Sequence, residues 1–240
     1  MNIIILGYGK MGKIIGEIAE TRGHSILAKI DENNRETLND LDLSKVDVAI
    51  EFSQPEAAVT NITWCLENGI PIVSGTTGWL EHKPNIEKLA IEKGTPFFYA
   101  SNFSIGVNVF FKVNQYLAKL MGETAGYQVE IEEIHHTAKK DAPSGTAITL
   151  AEGILEAQSG LKGWYLSGEA PENGQKLPII SKRIDPAPGT HIIRYQSEID
   201  DIEISHTAHS RQGFALGAVL VAEWIPGKSG VLNMNDFLSF

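Results

Sequence analysis

Along the first hundred residues, apolar runs that suit strands alternate with stretches of helical period. Asn2–Leu6 carries a continuous apolar, β-branched run, the pattern of a strand buried on both faces. After a glycine-rich turn, Met11, Ile14, Ile15, Ile18 and Ala19 recur at helical spacing, and Gly23 is placed to stop that helix. Further strands are predicted over 26–30, 46–50, 70–73 and 95–100. Helices are predicted over 56–67, where Ser53 is the expected cap and Pro55 falls in the first turn, and over 81–93. Residues 31–45 are polar without a strong period and read as a loop or short helix. Regular alternation of this kind implies a parallel sheet with helices on both faces.

The pattern changes near Ser101. Residues 107–121 read as one long helix, 128–136 as an alternating strand and 146–158 as a helix. Residues 159–178 are rich in Gly, Pro and polar side chains and are expected to form a long surface loop. Strand-like stretches follow over 179–184, 191–199 and 202–209. The final predicted helix, 214–224, is apolar nearly all round and so is expected to be buried. The fold class is therefore α/β: an N-terminal Rossmann-type domain over 1–104 plus 212–240, and a second α+β domain with a mixed or antiparallel sheet over 105–211.

Composition narrows the function. The chain has 240 residues, 42% of them hydrophobic, and a formal net charge of -10. These are globular values, and the acidic balance argues against nucleic acid and anionic membranes. No apolar run approaches the ~18 residues of a membrane helix, and the N-terminus lacks a basic signal region, so a cytoplasmic protein is expected. The single cysteine, Cys65, forms no intrachain disulfide and falls in a predicted helix, where it reads as a core thiol.

Two stretches carry chemistry. The first is Gly7-Tyr8-Gly9-Lys10-Met11-Gly12, set between a buried strand and an amphipathic helix, with Asp31 ending the next strand 19 positions after Gly12. Gly7 allows the tight turn, Gly9 the approach of a pyrophosphate and Gly12 close packing of helix on strand. Asp31 would accept hydrogen bonds from the adenosine ribose and repel a 2′-phosphate. Glu32, Asn33 and Asn34 follow it, with Arg35 one step further, so NADH or dual use of NADH and NADPH is expected. Gly75, Thr76, Thr77 and Gly78 follow the fourth strand, where loops line the ligand crevice of an open parallel sheet.

The second stretch runs from Glu133 to Ala147. His135, His136, Lys139 and Lys140 can all carry positive charge, in a chain with only 20 Lys and Arg. A cationic patch in an acidic protein invites an anion. Pro143-Ser144-Gly145-Thr146 then opens a helix whose free N–H groups, from Gly145 and Thr146, form a second anion-binding element, and the pair suits a dicarboxylate. His135 and Lys139 are candidate proton donors, and Lys140 reads as a surface lysine. His206 and His209 lack a partner in any metal-binding pattern, so no metal is expected. His24, His82 and His191 stand alone and read as surface or structural. The first stretch by itself would also suit another two-domain dehydrogenase of small amino acids or semialdehydes, or a regulator that senses NADH; the second would be foreign to both.

Together with Ala100-Ser101-Asn102-Phe103-Ser104-Ile105-Gly106-Val107-Asn108, these motifs make the whole chain resemble the 4-hydroxy-tetrahydrodipicolinate (dihydrodipicolinate) reductase family. The resemblance implies NAD(P)H-dependent reduction of a cyclic hydroxy-imine dicarboxylate to tetrahydrodipicolinate in diaminopimelate and lysine biosynthesis. It implies His135 as proton donor and Lys139 as second catalytic cation, with His136, Gly145 and Thr146 on substrate. Gly7, Tyr8, Gly9, Lys10, Met11, Gly12, Asp31, Gly75, Thr76, Thr77, Ala100, Ser101, Asn102 and Phe103 would line the cofactor. It further implies a homotetramer built through the second domain's sheet and domain closure on substrate. Against the family pattern the chain is short, and the stretch between Asp31 and Val46 is trimmed. The late segment 205–211 matches in part, with Arg211 and Phe214 candidates for contact with cofactor or a neighbouring subunit.

Overall fold

The computed structural model describes residues 1–122, 124, 126–168 and 175–239. They form two compact units, Met1–Ile105 with Gln212–Phe240, and Gly106–Arg211. The chain begins with β1 (Asn2–Leu6), α1 (Lys10–Thr21), β2 (Ser25–Ile30), β3 (Val48–Glu51), α2 (Pro55–Glu67), β4 (Ile72–Ser74), α3 (Lys83–Lys93) and β5 (Phe97–Tyr99). Residues 31–45 contain two short 3-10 helices, Arg35–Asp40 and Leu43–Lys45. α3 ends where Gly94 takes a left-handed φ of 65°. Ser53 does not cap α2. The helix starts at Pro55, so the cap is Gln54, with no side-chain bond, while the Ser53 hydroxyl donates to the buried Glu51 carboxylate at 2.5 Å.

The second unit contains most of α4 (Ile105–Gly122), then β6 (Gln128–His135), α5 (Gly145–Ala157), β7 (Trp164–Leu166), β8 (Leu177–Arg183), β9 (Gly189–Gln196) and β10 (Asp201–Ala208). Its sheet order is β10-β9-β6-β8-β7. β9 runs antiparallel to β6 and β10, whereas β8 runs parallel to β6 and β7, so the sheet is mixed. The expected surface loop over 159–178 contains a strand, β7, which pairs with Leu177–Ile179; three residues are too few to show a period, and their partner lies outside the local window. Residues 169–174 of that stretch lie outside the described residues. Phe110, Leu150 and Ile154 of the helices pack with Ile131, Ile179 and Ile193 of one sheet face. Strand alternation turns Glu130, Glu132, Ile134, Ile192 and Arg194 to the opposite face, where Arg194 bonds Glu130 at 2.7 Å and Glu203 at 2.9 Å.

The chain then returns to the first unit with α6 (Gln212–Trp224), β11 (Val231–Leu232) and α7 (Met234–Leu238). The first unit's sheet has the order β11-β5-β4-β3-β1-β2 with every pair parallel, a Rossmann-type arrangement. From β1 the chain steps outward to β2 and then returns past β1 to β3, so strand order reverses between β1 and β3. The carboxyl ends of those two strands are where such sheets bind ligands. β1 and β3 are buried almost throughout, as the apolar run of β1 requires. One core cluster joins α1 and α6 to the sheet, and the other joins α2 and α3. Cys65 is buried in the second of these, and burial pushes its thiol pKa up. Among the described residues no helix is long and apolar enough to cross a membrane.

α6 is buried through Ala215, Gly217, Ala218, Val219, Val221 and Ala222. Its approach depends on Gly217, where a Cβ would stand 1.8 Å from the Phe103 carbonyl oxygen. Alanine there gains about 1 kcal/mol of helix propensity but drives a methyl into backbone, which cannot turn aside as a side chain can. Gly217→Ala is expected to lower stability by about 2 kcal/mol or more, read as a drop in the denaturation midpoint.

Candidate active site

The first unit has a cavity of about 940 Å³ at the reversal of strand order. It is lined by Gly7, Tyr8, Gly9, Lys10 and Met11, by Asp31 and Arg35, by the Phe52 to Pro55 segment and by Gly75, Thr76 and Thr77. Gly7 has a φ of +99°, and a Cβ there would stand 2.1 Å from the Phe52 carbonyl oxygen. The N–H groups of Gly7 and Tyr8 both donate to the Ile30 carbonyl at 2.9 Å, which ties the turn to the end of β2. Gly12 lies against the Gly7 carbonyl, 2.2 Å from where its Cβ would be, so only glycine lets α1 begin so close to β1. Gly9 caps α1 without a side-chain bond, and no atom lies within 4 Å of its missing Cβ. That open helix N-terminus, with its first N–H groups lacking carbonyl partners within the helix, fits a pyrophosphate.

Gly12, Ala100, Ser101, Asn102 and Phe103 are not among the lining residues. Ala100 and Phe103 are buried, and the Phe103 ring packs on Phe52 and Phe98 at centroid distances of 5.4 and 5.8 Å. Ser101 is exposed and Asn102 half-buried. Arg35 does not project freely beside Asp31. It donates to the Asn61 side chain and to the Thr60 carbonyl at 3.5 Å.

Under the cavity lies Glu51, at the end of β3 and fully buried. Its Oε1 accepts from Ser53 N at 3.0 Å, Ser53 Oγ at 2.5 Å and Thr76 Oγ1 at 2.8 Å, while Oε2 accepts from Ser74 Oγ at 2.7 Å. This carboxylate holds the loops after β3 and β4 together. A further hydrogen bond links Asn61 to Ser53 Oγ at 3.4 Å, extending the network to Arg35.

The second unit gathers its titratable groups around another buried carboxylate, Glu133 on β6. Both of its oxygens lie 3.1 Å from Ser144 N. Oε1 also accepts from Ser181 Oγ at 2.7 Å and Arg183 Nη2 at 3.2 Å. Oε2 stands 3.4 Å from His135 Nδ1 and 3.8 Å from His191 Nε2. The two imidazole rings meet edge-on at 5.1 Å. Burial opposes the Glu133 charge, but the Ser144 and Ser181 hydrogen bonds and nearby His135 hold its pKa below the usual carboxylate value. Burial lowers the His135 pKa, with Glu133 opposing the shift and Lys139 and Arg183 adding to it. His191 is pushed down to about 4 by burial and by His135.

Lys139 Nζ donates to both Asp141 oxygens at 2.8 Å, and Arg183 Nη2 donates to the Asp141 carbonyl at 2.6 Å. Ser144 caps α5 by accepting from Ala147 N at 3.2 Å, and its hydroxyl meets His191 Nε2 at 3.1 Å. Gly145 is exposed, Thr146 and His136 are half-buried, and Lys140 is exposed. Gly145 and Thr146, in the first turn of α5, present N–H groups without carbonyl partners in the helix. The structure thus brings His135, Lys139 and the start of α5 into one cluster. His206 stacks on Phe110 at 5.9 Å, and His209 is exposed. Arg211 is exposed and Phe214 half-buried.

Glu133, His135 and His191 offer ligand atoms within 4.8 Å of one another, close enough for a metal. The donor set argues otherwise. Glu133 already accepts from an N–H, a hydroxyl and a guanidinium, and the Lys139 and Arg183 charges would repel a cation.

Models of the dihydrodipicolinate reductase N-terminus and C-terminus match residues 1–103 and 106–238. The chain belongs to the dihydrodipicolinate reductase family. It is thereby an oxidoreductase of an NAD(P)H-dependent family. A 4-hydroxy-tetrahydrodipicolinate reductase of Christiangramia forsetii is 53% identical over 240 residues, covering 100% of this chain and 98% of that one. Another, from Methanosarcina barkeri, is 40% identical over 230 residues, covering 95% of this chain and 85% of that one. The fold matches that of a dipicolinate-bound dihydrodipicolinate reductase from Paenisporosarcina sp. TG-14, with a TM-score of 0.81, 23% identity and 99% coverage of both chains.

Sequence reasoning missed Glu51, the Phe52 to Pro55 lining and His191. The first two end and follow the third strand, and the switch-point rule could have found them once strand order was assumed. His191 does not stand alone at the surface: it is buried beside Glu133 and His135, brought there by the pairing of Glu133 with His191 across β6 and β9. His24 does fill a structural place, with Nε2 at 2.7 Å from Glu223, and His82 is exposed. Glu51→Ala would orphan the hydroxyls of Ser53, Ser74 and Thr76 at a cost of about 1–3 kcal/mol for each one left buried. The expected outcome is a lower melting temperature together with weaker NAD(P)H binding, measured by calorimetry and by cofactor fluorescence titration.

Proposed function

We propose that the chain catalyses NAD(P)H-dependent reduction of 4-hydroxy-tetrahydrodipicolinate to tetrahydrodipicolinate, in diaminopimelate and lysine biosynthesis. The observation that carries this reading is the cluster of His135, Lys139 and Arg183 around the amino end of α5 in a member of this family. Hydroxy-imine, NAD(P)H and one proton give tetrahydrodipicolinate, NAD(P)+ and water. The nicotinamide supplies the hydride. Gly7, Tyr8, Gly9, Lys10, Met11 and Gly12 hold the pyrophosphate end, Asp31 the adenosine ribose, and Gly75, Thr76 and Thr77 the nicotinamide end. Ala100, Ser101 and Asn102 border the same ligand, with the Phe103 ring acting from beneath by supporting Phe52.

His136, Gly145 and Thr146 bind the substrate's carboxylates through an imidazole N–H and two helix N–H groups. Lys139, held by Asp141, stabilises negative charge that develops on the ring as hydride arrives. Loss of the ring hydroxyl with a ring proton as water leaves a conjugated imine, and once hydride has added to it His135 delivers the proton that the reduced, electron-rich ring takes. Homotetramer assembly through the sheet face bearing Ile134 and Ile192, opposite α4 and α5, and a cytoplasmic location belong to the same reading.

Substrate would be generated in place from pyruvate and aspartate semialdehyde by the preceding synthase, and oxidation of the reduced nicotinamide followed by absorbance. Substrate-dependent oxidation supports the assignment; none, in folded protein that binds NADH, sinks it. His135→Ala and Lys139→Ala are each expected to lower kcat about a hundredfold or more while NADH binding changes little. Near wild-type kcat in both variants would refute their roles.

NADH or dual use is the proposed cofactor preference. Asp31 would repel a 2′-phosphate, whereas Arg35, lining the same cavity, can answer one only by giving up its bonds to Asn61 and Thr60. In the same assay kcat/KM with NADPH is expected not to exceed that with NADH by roughly tenfold. Arg35→Ala should reduce NADPH use several-fold more than NADH use, on the order of one charge-assisted hydrogen bond. An NADPH preference above that bound would overturn the Asp31 argument.

A further inference from the structure

We infer that Glu133 is a positioning residue for His135, fixing which ring nitrogen carries the exchangeable proton and tying that ring to the start of α5. The inference rests on the reading of His135 as proton donor.

Glu133 and His135 sit two apart on β6 and so share a sheet face. Glu133 is fully buried and His135 nearly so. His135 Nδ1 is buried without a hydrogen bond of ordinary geometry, and the Glu133 Oε2 atom stands 3.4 Å from it. Catalytic hydrogen bonds in ligand-free enzymes are commonly long and tighten with substrate bound. A carboxylate at Nδ1 selects the tautomer with the proton there, which leaves Nε2 as the atom that gives up its proton to a ligand.

Gly189 on β9 is consistent with this division. A Cβ at Gly189 would stand 3.1 Å from His135 Nε2, so the missing side chain leaves that nitrogen uncrowded. The other side of the carboxylate is also engaged. Ser144, Ser181 and Arg183 donate to it, and Ser144 is the cap of α5. One carboxylate therefore fixes the proton donor and the helix end proposed to receive the substrate's anion.

The charges that face His135 decide the direction of its effect. Glu133 faces it from β6, Lys139 and Asp141 from the following loop, Arg183 from β8 and His191 from β9. Lys139 and Arg183 disfavour the imidazolium, and His191 would do so if protonated. Of the two carboxylates, Asp141 is exposed, with 60% of its side-chain surface open, and already neutralises Lys139. Glu133 is the buried anion that opposes the loss of the His135 proton.

The test uses the 240-residue chain with Glu133→Gln and Glu133→Asp. Imidazole 15N chemical shifts report tautomer and titration, and kcat is measured against pH. In the wild type, neutral His135 is expected to carry its proton on Nδ1. Glu133→Gln should move the His135 titration and the alkaline limb of kcat to lower pH by about one unit. It should also lower kcat at neutral pH about tenfold or more, with KM for NADH changed less than about twofold. Glu133→Asp should recover part of both shifts. A wild-type Nε2–H tautomer, which can be read even if the Gln variant fails to fold, overturns the inference. So does a Glu133→Gln enzyme whose titration and pH limb stay in place. If those results accompany a His135→Ala variant that has lost kcat, the positioning role alone fails. A His135→Ala variant with wild-type kcat removes the proton-donor reading beneath it.

Discussion

A carboxylate taken out of water must be met by donors, and each unit of this protein is organised around one that is. Burying a charge without compensation costs several kcal/mol, more than a marginally stable domain can lose. Glu51 meets the constraint with Ser53, Ser74 and Thr76, residues of the loops that follow β3 and β4. Glu133 meets it with Ser144, Ser181 and Arg183, drawn from the start of α5 and from β8. In each case satisfying the charge requires segments far apart in sequence to reach fixed positions. The same segments line the cavity at the strand-order reversal in the first unit and carry the histidine-lysine cluster in the second. The free energy needed to hide the anion and the precision needed for chemistry are thus met by the same hydrogen bonds.

What was legible in the sequence follows from the range of the interactions. Gly7, Gly9 and Gly12 could be read because their demands are local: a left-handed turn, an open approach and a close helix, all within six residues. The alternation of β1 to β5 with α1 to α3 could be read because each element carries its own period. Ser53 was misread for an instructive reason. A serine near Pro55 has the local chemistry of a cap, but the helix begins at Pro55 itself, which puts Gln54 at the cap and leaves the Ser53 hydroxyl to the buried carboxylate two residues earlier. β7 and the place of His191 were illegible because both are defined by cross-strand register, Trp164 with Leu177 and Glu133 with His191. Glu51 and Glu133 look like ordinary strand acids until the layers above and below them are known.

Charge is distributed by the same logic. The chain carries a net -10, yet the second unit concentrates Lys139, Arg183 and two histidines about one anion. Asp141 neutralises Lys139 at the surface and Glu133 neutralises Arg183 within. A cluster balanced in this way can exist in the absence of ligand without the repulsion that a bare cationic pocket would suffer. The two carboxylates are not equivalent in that balance. Asp141 is exposed, so water screens its attraction to Lys139 and an incoming substrate carboxylate could compete for the ammonium at small cost. Glu133 has no such access to water, and its donors include the backbone N–H at the start of a helix, which cannot leave without unwinding the cap. The exposed pair is therefore suited to exchange and the buried hub to permanence. Evolution of a different substrate on this framework would be expected to alter the residues around Lys139 long before it altered Glu133.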